Sequence, residues 1–135
     1  MRRIYSLLFL GLTLLFVSCS SAPPVDSART NLQILADNYM KYVSEHNGKS
    51  PAKEADFKAF LVIKKVENGD QLFTSSRDQQ PFKIKYGIEK ASLDYSKGLV
   101  PADQAENKMV IIEEQTGLKG KRLVAYNSGS IAELD

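Results

Sequence analysis

His46 is the sole histidine of the chain, so no cluster of imidazoles is available to hold a metal. It could serve as a lone acid, base or ligand, but it sits where a helix is expected to end, and a cation is favoured there by the helix dipole; a solvated helix-end residue is the reading adopted. Arg77-Asp78 is the polar pair of most interest, because it stands just before Pro81 and the start of an alternating run. Such a pair can line a recognition surface, yet an aspartate in this position more commonly fixes a turn by accepting backbone N–H bonds. Glu113-Glu114 are neighbours that point to opposite faces of a strand, so they do not share a proton or a metal, and a solvated pair at a strand end is expected. Tyr39, Tyr42, Tyr86, Tyr95 and Tyr126 could stack on sugars, though tyrosines of this kind are usually core edges. Tyr42 falls off the main helical stripe. Arg77, Asp78 and Tyr42 are therefore the candidate binding residues, with no catalytic residue, metal ligand or cofactor assigned.

The elements that position these groups follow from periodicity. After Asp26 or Ser27, either a suitable N-cap, apolar residues recur at Ala28, Leu32, Leu35, Ala36, Tyr39, Met40 and Val43. Spacings of three and four place them on one stripe of an amphipathic helix over about 27–46, closed by the left-handed residue that Asn47-Gly48 supplies. A second, shorter helix begins at Ser50-Pro51 or Lys53 and ends near Lys64, with Phe57, Phe60 and Leu61 on one face and Glu54 and Asp56 in the favourable first turn. Gly48-Lys49-Ser50 matches only the end of a phosphate-binding loop: Val43 stands where the first glycine is required, and the segment follows a helix instead of a strand.

Residues 67–80 are rich in turn formers, and beyond Pro81 the period changes to two. Phe82, Ile84, Tyr86 and Ile88 alternate with Lys83, Lys85 and Gly87, which predicts a half-buried strand. Met109–Glu114 and Arg122–Tyr126 are two further strands, joined by a hairpin loop at Thr116-Gly117-Leu118-Lys119-Gly120. Asn127-Ser128-Gly129 turns the chain into a last strand, Ser130–Leu134, while 93–108 has no period and reads as loop. Helices first and a meander afterwards give an α+β domain: a long N-terminal helix plus a short second helix packed on a small antiparallel sheet of three to four strands.

The start of the chain reads as an address. Arg2 and Arg3 precede an uncharged stretch from Ile4 to Val17, the layout of a secretion signal and shorter than the roughly 20 apolar residues of a membrane-spanning helix. Phe16-Val17-Ser18-Cys19 resembles the lipobox of bacterial lipoproteins, with Phe16 where that family most often has Leu. The resemblance implies cleavage after Ser18 and lipid on Cys19, the single cysteine. Two or three acyl chains, at about 0.8 kcal/mol per buried CH₂, make a stable anchor. The expected organisation is a signal peptide over 1–18, the lipidated cysteine and a tether over 19–26, and one domain over 27–135. Losing Arg2 and Arg3 from the 18 basic side chains leaves 16 against 16 acidic ones, no basic excess with which to bind nucleic acid or anionic lipid strongly.

Two stretches carry a further resemblance. Asp78-Gln79-Gln80-Pro81-Phe82-Lys83-Ile84-Lys85-Tyr86-Gly87 and Gly120-Lys121-Arg122-Leu123-Val124-Ala125-Tyr126-Asn127-Ser128-Gly129-Ser130-Ile131 resemble the first strand and last hairpin of the periplasmic head of type II secretion pseudopilins and type IV pilin-like proteins. That implies a pilin-head-like fold. The chain departs from the family in lacking its long apolar polymerising helix, in whose place stands the lipoprotein-like signal; the same helix-then-strands order is similar to that of some planctomycete lipoproteins, which implies no activity. Asp94 and Asp103 do not fit a defined calcium motif. The expectation is a non-catalytic lipoprotein of the cell envelope, its domain outside the cytoplasm on the periplasmic face, held to the membrane by its lipid and binding or positioning an envelope protein partner. The alternative is a small envelope enzyme acting on peptidoglycan or polysaccharide, which would need two carboxylates, such as Asp78 and Glu113, about 5 to 9.5 Å apart across a cleft.

Overall fold

A computed structural model describes residues 27–91 and 108–135. Helix α1, Ser27–Glu45, buries Ala28, Leu32, Leu35, Ala36, Tyr39 and Val43, the stripe that its apolar spacing predicts. It stops where the sequence supplies a left-handed pair: Asn47 has φ 55° and Gly48 has φ 83°, and the Gly48 N–H donates to the Val43 carbonyl at 2.8 Å. That bond closes the last turn as in a Schellman motif. His46 Nδ1 lies 2.7 Å from the Tyr42 carbonyl oxygen, which also accepts the His46 backbone N–H at 3.0 Å, so the ring N–H adds a second bond to this last-turn acceptor.

Helix α2, Glu54–Ile63, starts after Lys53 in extended conformation and carries Glu54 and Asp56 in its first turn. It lies beside the C-terminal half of α1, with the Tyr39 and Phe57 rings edge to face at 5.7 Å and Tyr42 against Phe60 at 5.1 Å. A 3₁₀ turn, Gln71–Phe73, adds Leu72 and Phe73 to the same core.

Strands β1 (Lys83–Ile84), β2 (Val110–Glu113), β3 (Arg122–Tyr126) and β4 (Ile131–Leu134) form an antiparallel meander in sequence order. Helix α1 packs on β2, β3 and β4, giving the α+β architecture of a long helix and a short one on a small antiparallel sheet. Ile111 and Ile112 are both buried because the β2–β3 register slips by one residue between Val110 and Ile112. Such a bulge abolishes strict alternation at that point.

The first strand is shorter than its period-two pattern predicts. Pairing with β2 continues only to Lys85, whose N–H donates to the Ile111 carbonyl at 2.8 Å. Beyond it the chain is drawn away from the sheet by the α1–α2 linker. Gly87 N–H donates to Pro51 O at 2.8 Å, Ile88 N–H to Ser50 Oγ at 2.7 Å, and the Ser50 N–H to Ile88 O at 2.9 Å. The Tyr39 hydroxyl donates to Lys85 O at 2.7 Å, which pins the departure to the helix.

Candidate functional site

The loop between the 3₁₀ turn and β1 brings the most polar residues together. Asp78 accepts four hydrogen bonds. One comes from Gln80 N–H at 3.1 Å, within its own turn. The others reach Oδ2 from Thr116 N–H at 3.0 Å, the Thr116 hydroxyl at 3.1 Å and Gly117 N–H at 2.9 Å, all from the β2–β3 hairpin. Burial raises the carboxyl's pKa, but the bonds from Thr116, Gly117 and Gln80 favour the charged form more strongly and hold it below its ordinary value. Asp78 thus fixes a turn, as its position before Pro81 predicts, and also staples that turn to a hairpin 38 residues away.

Arg77 points the other way. Its guanidinium donates to the Glu133 carboxylate on β4 at 2.7 Å and to the Lys121 carbonyl at 3.0 Å, and its Nε stands 3.6 Å from Glu114 Oε1. The side chain is 10% exposed, so most of its donor surface faces protein.

Glu114 departs from expectation. It is completely buried, not a solvated half of a pair at a strand end. Its Oε1 accepts from the buried Ser75 hydroxyl at 2.6 Å and its Oε2 from the Leu123 N–H at 2.7 Å. Glu113 faces outward by contrast and pairs with Arg122 Nη1 at 2.9 Å, so the two glutamates do lie on opposite faces. A signal for this was present: alternation puts Glu114 on the same face as Ile112, an inward residue. A buried carboxylate needs partners of its own, and Ser75, Leu123 and Arg77 supply them. Ser75 is fully buried between these partners and offers no open face to a substrate.

Tyr42 lies at the other end of the domain. Half-buried, it stacks on His46 with ring centroids 3.8 Å apart and planes 6° from parallel. The pair borders an open hollow of about 420 Å³, lined also by Asn47, Ser50, Gly87 and Ile88, with the Lys49–Glu89 ion pair at 2.9 Å on its rim. Arg77 and Asp78 are brought together in one clamp; Tyr42 is not part of it. Cys19, the tether over 19–26, and Tyr95, Asp94 and Asp103 lie outside the described residues. Among the described residues, no group of three or more His, Cys, Asp or Glu side chains could hold a metal ion, and no helix is long and apolar enough to cross a membrane.

No family model matches the sequence, and no curated protein or solved structure matches it.

Proposed function

We propose that this chain is a lipid-anchored, non-catalytic lipoprotein of the cell envelope, whose small α+β head binds or positions another envelope component. The observation that carries the reading is the engagement of its polar groups: Asp78 is saturated by four hydrogen bonds, Glu114 is enclosed, and Arg77 bridges β4 and the hairpin. Groups held this way stiffen a head; a general acid or base must instead reach a substrate proton. The basic start, the apolar stretch and Phe16-Val17-Ser18-Cys19 support the anchor.

The partner meets the end at Tyr42 and His46. That end carries the stacked ring pair, the hollow beside it and, on the last turn of α2, the exposed side chains of Val62 and Ile63. Aromatic surface with polar edges is characteristic of recognition faces. The test of the anchor is metabolic labelling with a fatty-acid analogue: Cys19→Ala should lose the label and leave the membrane fraction or remain unprocessed, and label that survives the substitution removes the reading.

A further inference from the structure

Four large apolar side chains are exposed among the described residues, and they divide between the two ends of α1. Val62 and Ile63 belong to the end where α1 stops, since Lys64 reaches Glu45, the helix's last residue, at 2.6 Å. Leu118 and Leu134 belong to the end where it starts. The link is short: the Ser27 and Ser76 hydroxyls are 2.7 Å apart, and the next residue, Arg77, donates to the Lys121 carbonyl at 3.0 Å. Leu118 is bridged to Lys121, while Leu134 is paired with Arg122 across the β3–β4 ladder.

The tip that presents Leu118 is rigid. Leu118 and Lys121 exchange backbone hydrogen bonds of 2.9 and 3.0 Å around Lys119 (φ 54°) and Gly120 (φ 80°), the double left-handed turn that matches strand twist. Asp78 holds its base through Thr116 and Gly117. An apolar side chain flanked by two exposed lysines is thus held out on a fixed mount. Lys121 stands 3.8 Å from Asp135, a loose pair between two solvated groups.

We propose that this face, Leu118 and Leu134 with Lys119 and Lys121, rests on the anionic lipid surface in which Cys19 is anchored; the inference rests on the lipoprotein reading. Two arguments select lipid as the occupant. The eight steps from Cys19 to Ser27 span at most about 29 Å even fully extended, so the end where α1 begins is held close to the bilayer. A tether that short lets Lys119 and Lys121 come within a Debye length, about 8 Å, of anionic headgroups, where they are attracted, while leucines beside them can enter the interface. The hairpin contact orients the head, and the end at Tyr42 and His46, a helix length of about 27 Å away, points outward.

The chain contains no tryptophan, so a single introduced indole reports its own surroundings. The lipidated full-length Leu118→Trp protein is reconstituted in vesicles of phosphatidylethanolamine and phosphatidylglycerol with brominated acyl chains, with lipidated Val62→Trp as the control at another exposed apolar position. Co-flotation reads the anchor; emission reads the contact. The expected result is that both proteins float, that only the Leu118→Trp indole shifts to shorter wavelength and is quenched, and that added Lys119→Glu or high salt weakens the quenching. Proteins that float with the Leu118→Trp indole unquenched, or with both indoles quenched alike, overturn the contact while the anchor stands. A shift without quenching, confined to native membranes, assigns a protein to the hairpin and also overturns the lipid contact. Failure to float overturns the anchor and the contact together.

Discussion

The Ser75 hydroxyl donates to Glu114 Oε1 at 2.6 Å with both residues fully buried, and this one bond ties the end of β2 to the loop that leads into β1. Ser75 also accepts the Arg77 N–H at 3.1 Å, so the hydroxyl serves as donor to one segment and acceptor for its own turn. Ser75→Ala leaves a buried carboxylate short of a donor and should lower unfolding free energy by about 1–3 kcal/mol. Glu114→Ala strands two buried donors, the Ser75 hydroxyl and the Leu123 N–H, at about 1–3 kcal/mol each, while Arg77 keeps Glu133 and the Lys121 carbonyl. Urea denaturation of the two variants gives both numbers; equal, negligible losses would mean the cluster does not hold the loop.

The glycines of the hairpin should separate sharply. A Cβ on Gly117 would lie 2.0 Å from the Lys121 carbonyl oxygen, a backbone atom that cannot step aside, and Gly117 has φ 68°. Gly120 has φ 80° but nothing within 4 Å of the added carbon. Gly120→Ala should therefore cost only the left-handed conformation, about 1–2 kcal/mol, whereas Gly117→Ala must also open the tip and break the Asp78 bonds. Thermal denaturation should place Gly117→Ala well below Gly120→Ala, and a reversed order would discredit the hairpin geometry.

Tyr86 supplies a prediction of the opposite sign. Its hydroxyl oxygen is buried with no hydrogen-bond partner among the described residues, and burial, followed by the charge of Glu54, pushes the phenol's pKa upward. Removing an unsatisfied buried polar group removes its desolvation penalty. Tyr86→Phe should be neutral or stabilising by up to about 1 kcal/mol. A clear loss of stability in calorimetry would show that the hydroxyl has a partner after all.

What the sequence made legible was local. The stripe from Ala28 to Val43 and the left-handed Asn47-Gly48 pair are repeated or adjacent signals, and α1 obeys both. Asp78 as a turn fixer was legible for the same reason, through Gln80 two residues on. Its bonds to Thr116 and Gly117 were not, because they depend on which hairpin the fold brings past the loop. The shortened β1 has a similar cause: Tyr39, Ser50 and Pro51 capture Lys85, Gly87 and Ile88, and none of those three competitors belongs to the sheet. Alternation places Glu114 inward, but the groups that make its burial tolerable, the Ser75 hydroxyl, the cross-strand Leu123 N–H and the Arg77 charge at 3.6 Å, are not its neighbours in sequence.

Asp78→Asn tests both the clamp and the class of function. The folded carboxyl titrates below its ordinary value of 3.8, so it contributes stability that is fully present above the unfolded pKa and is lost as pH falls through the lower folded one. Wild-type protein should accordingly lose stability on acidification below about pH 4, and the Asp78→Asn variant should lack that part of the slope. At neutral pH the variant should be weaker as well, since its amide NH₂ must face donors on one side or the other, either Gln80 or the Thr116 and Gly117 pair. Its function should survive. Loss of a positioned acid or base typically lowers a rate by 10²–10⁴, whereas a head that binds through its far end should retain crosslinking to its envelope partner within a few fold at any temperature where the variant stays folded. Urea titrations from acid to neutral pH read the first expectation, and in-membrane crosslinking reads the second. A variant that is folded but has lost its function would transfer Asp78 from the scaffold to the chemistry and revive the carboxylate enzyme.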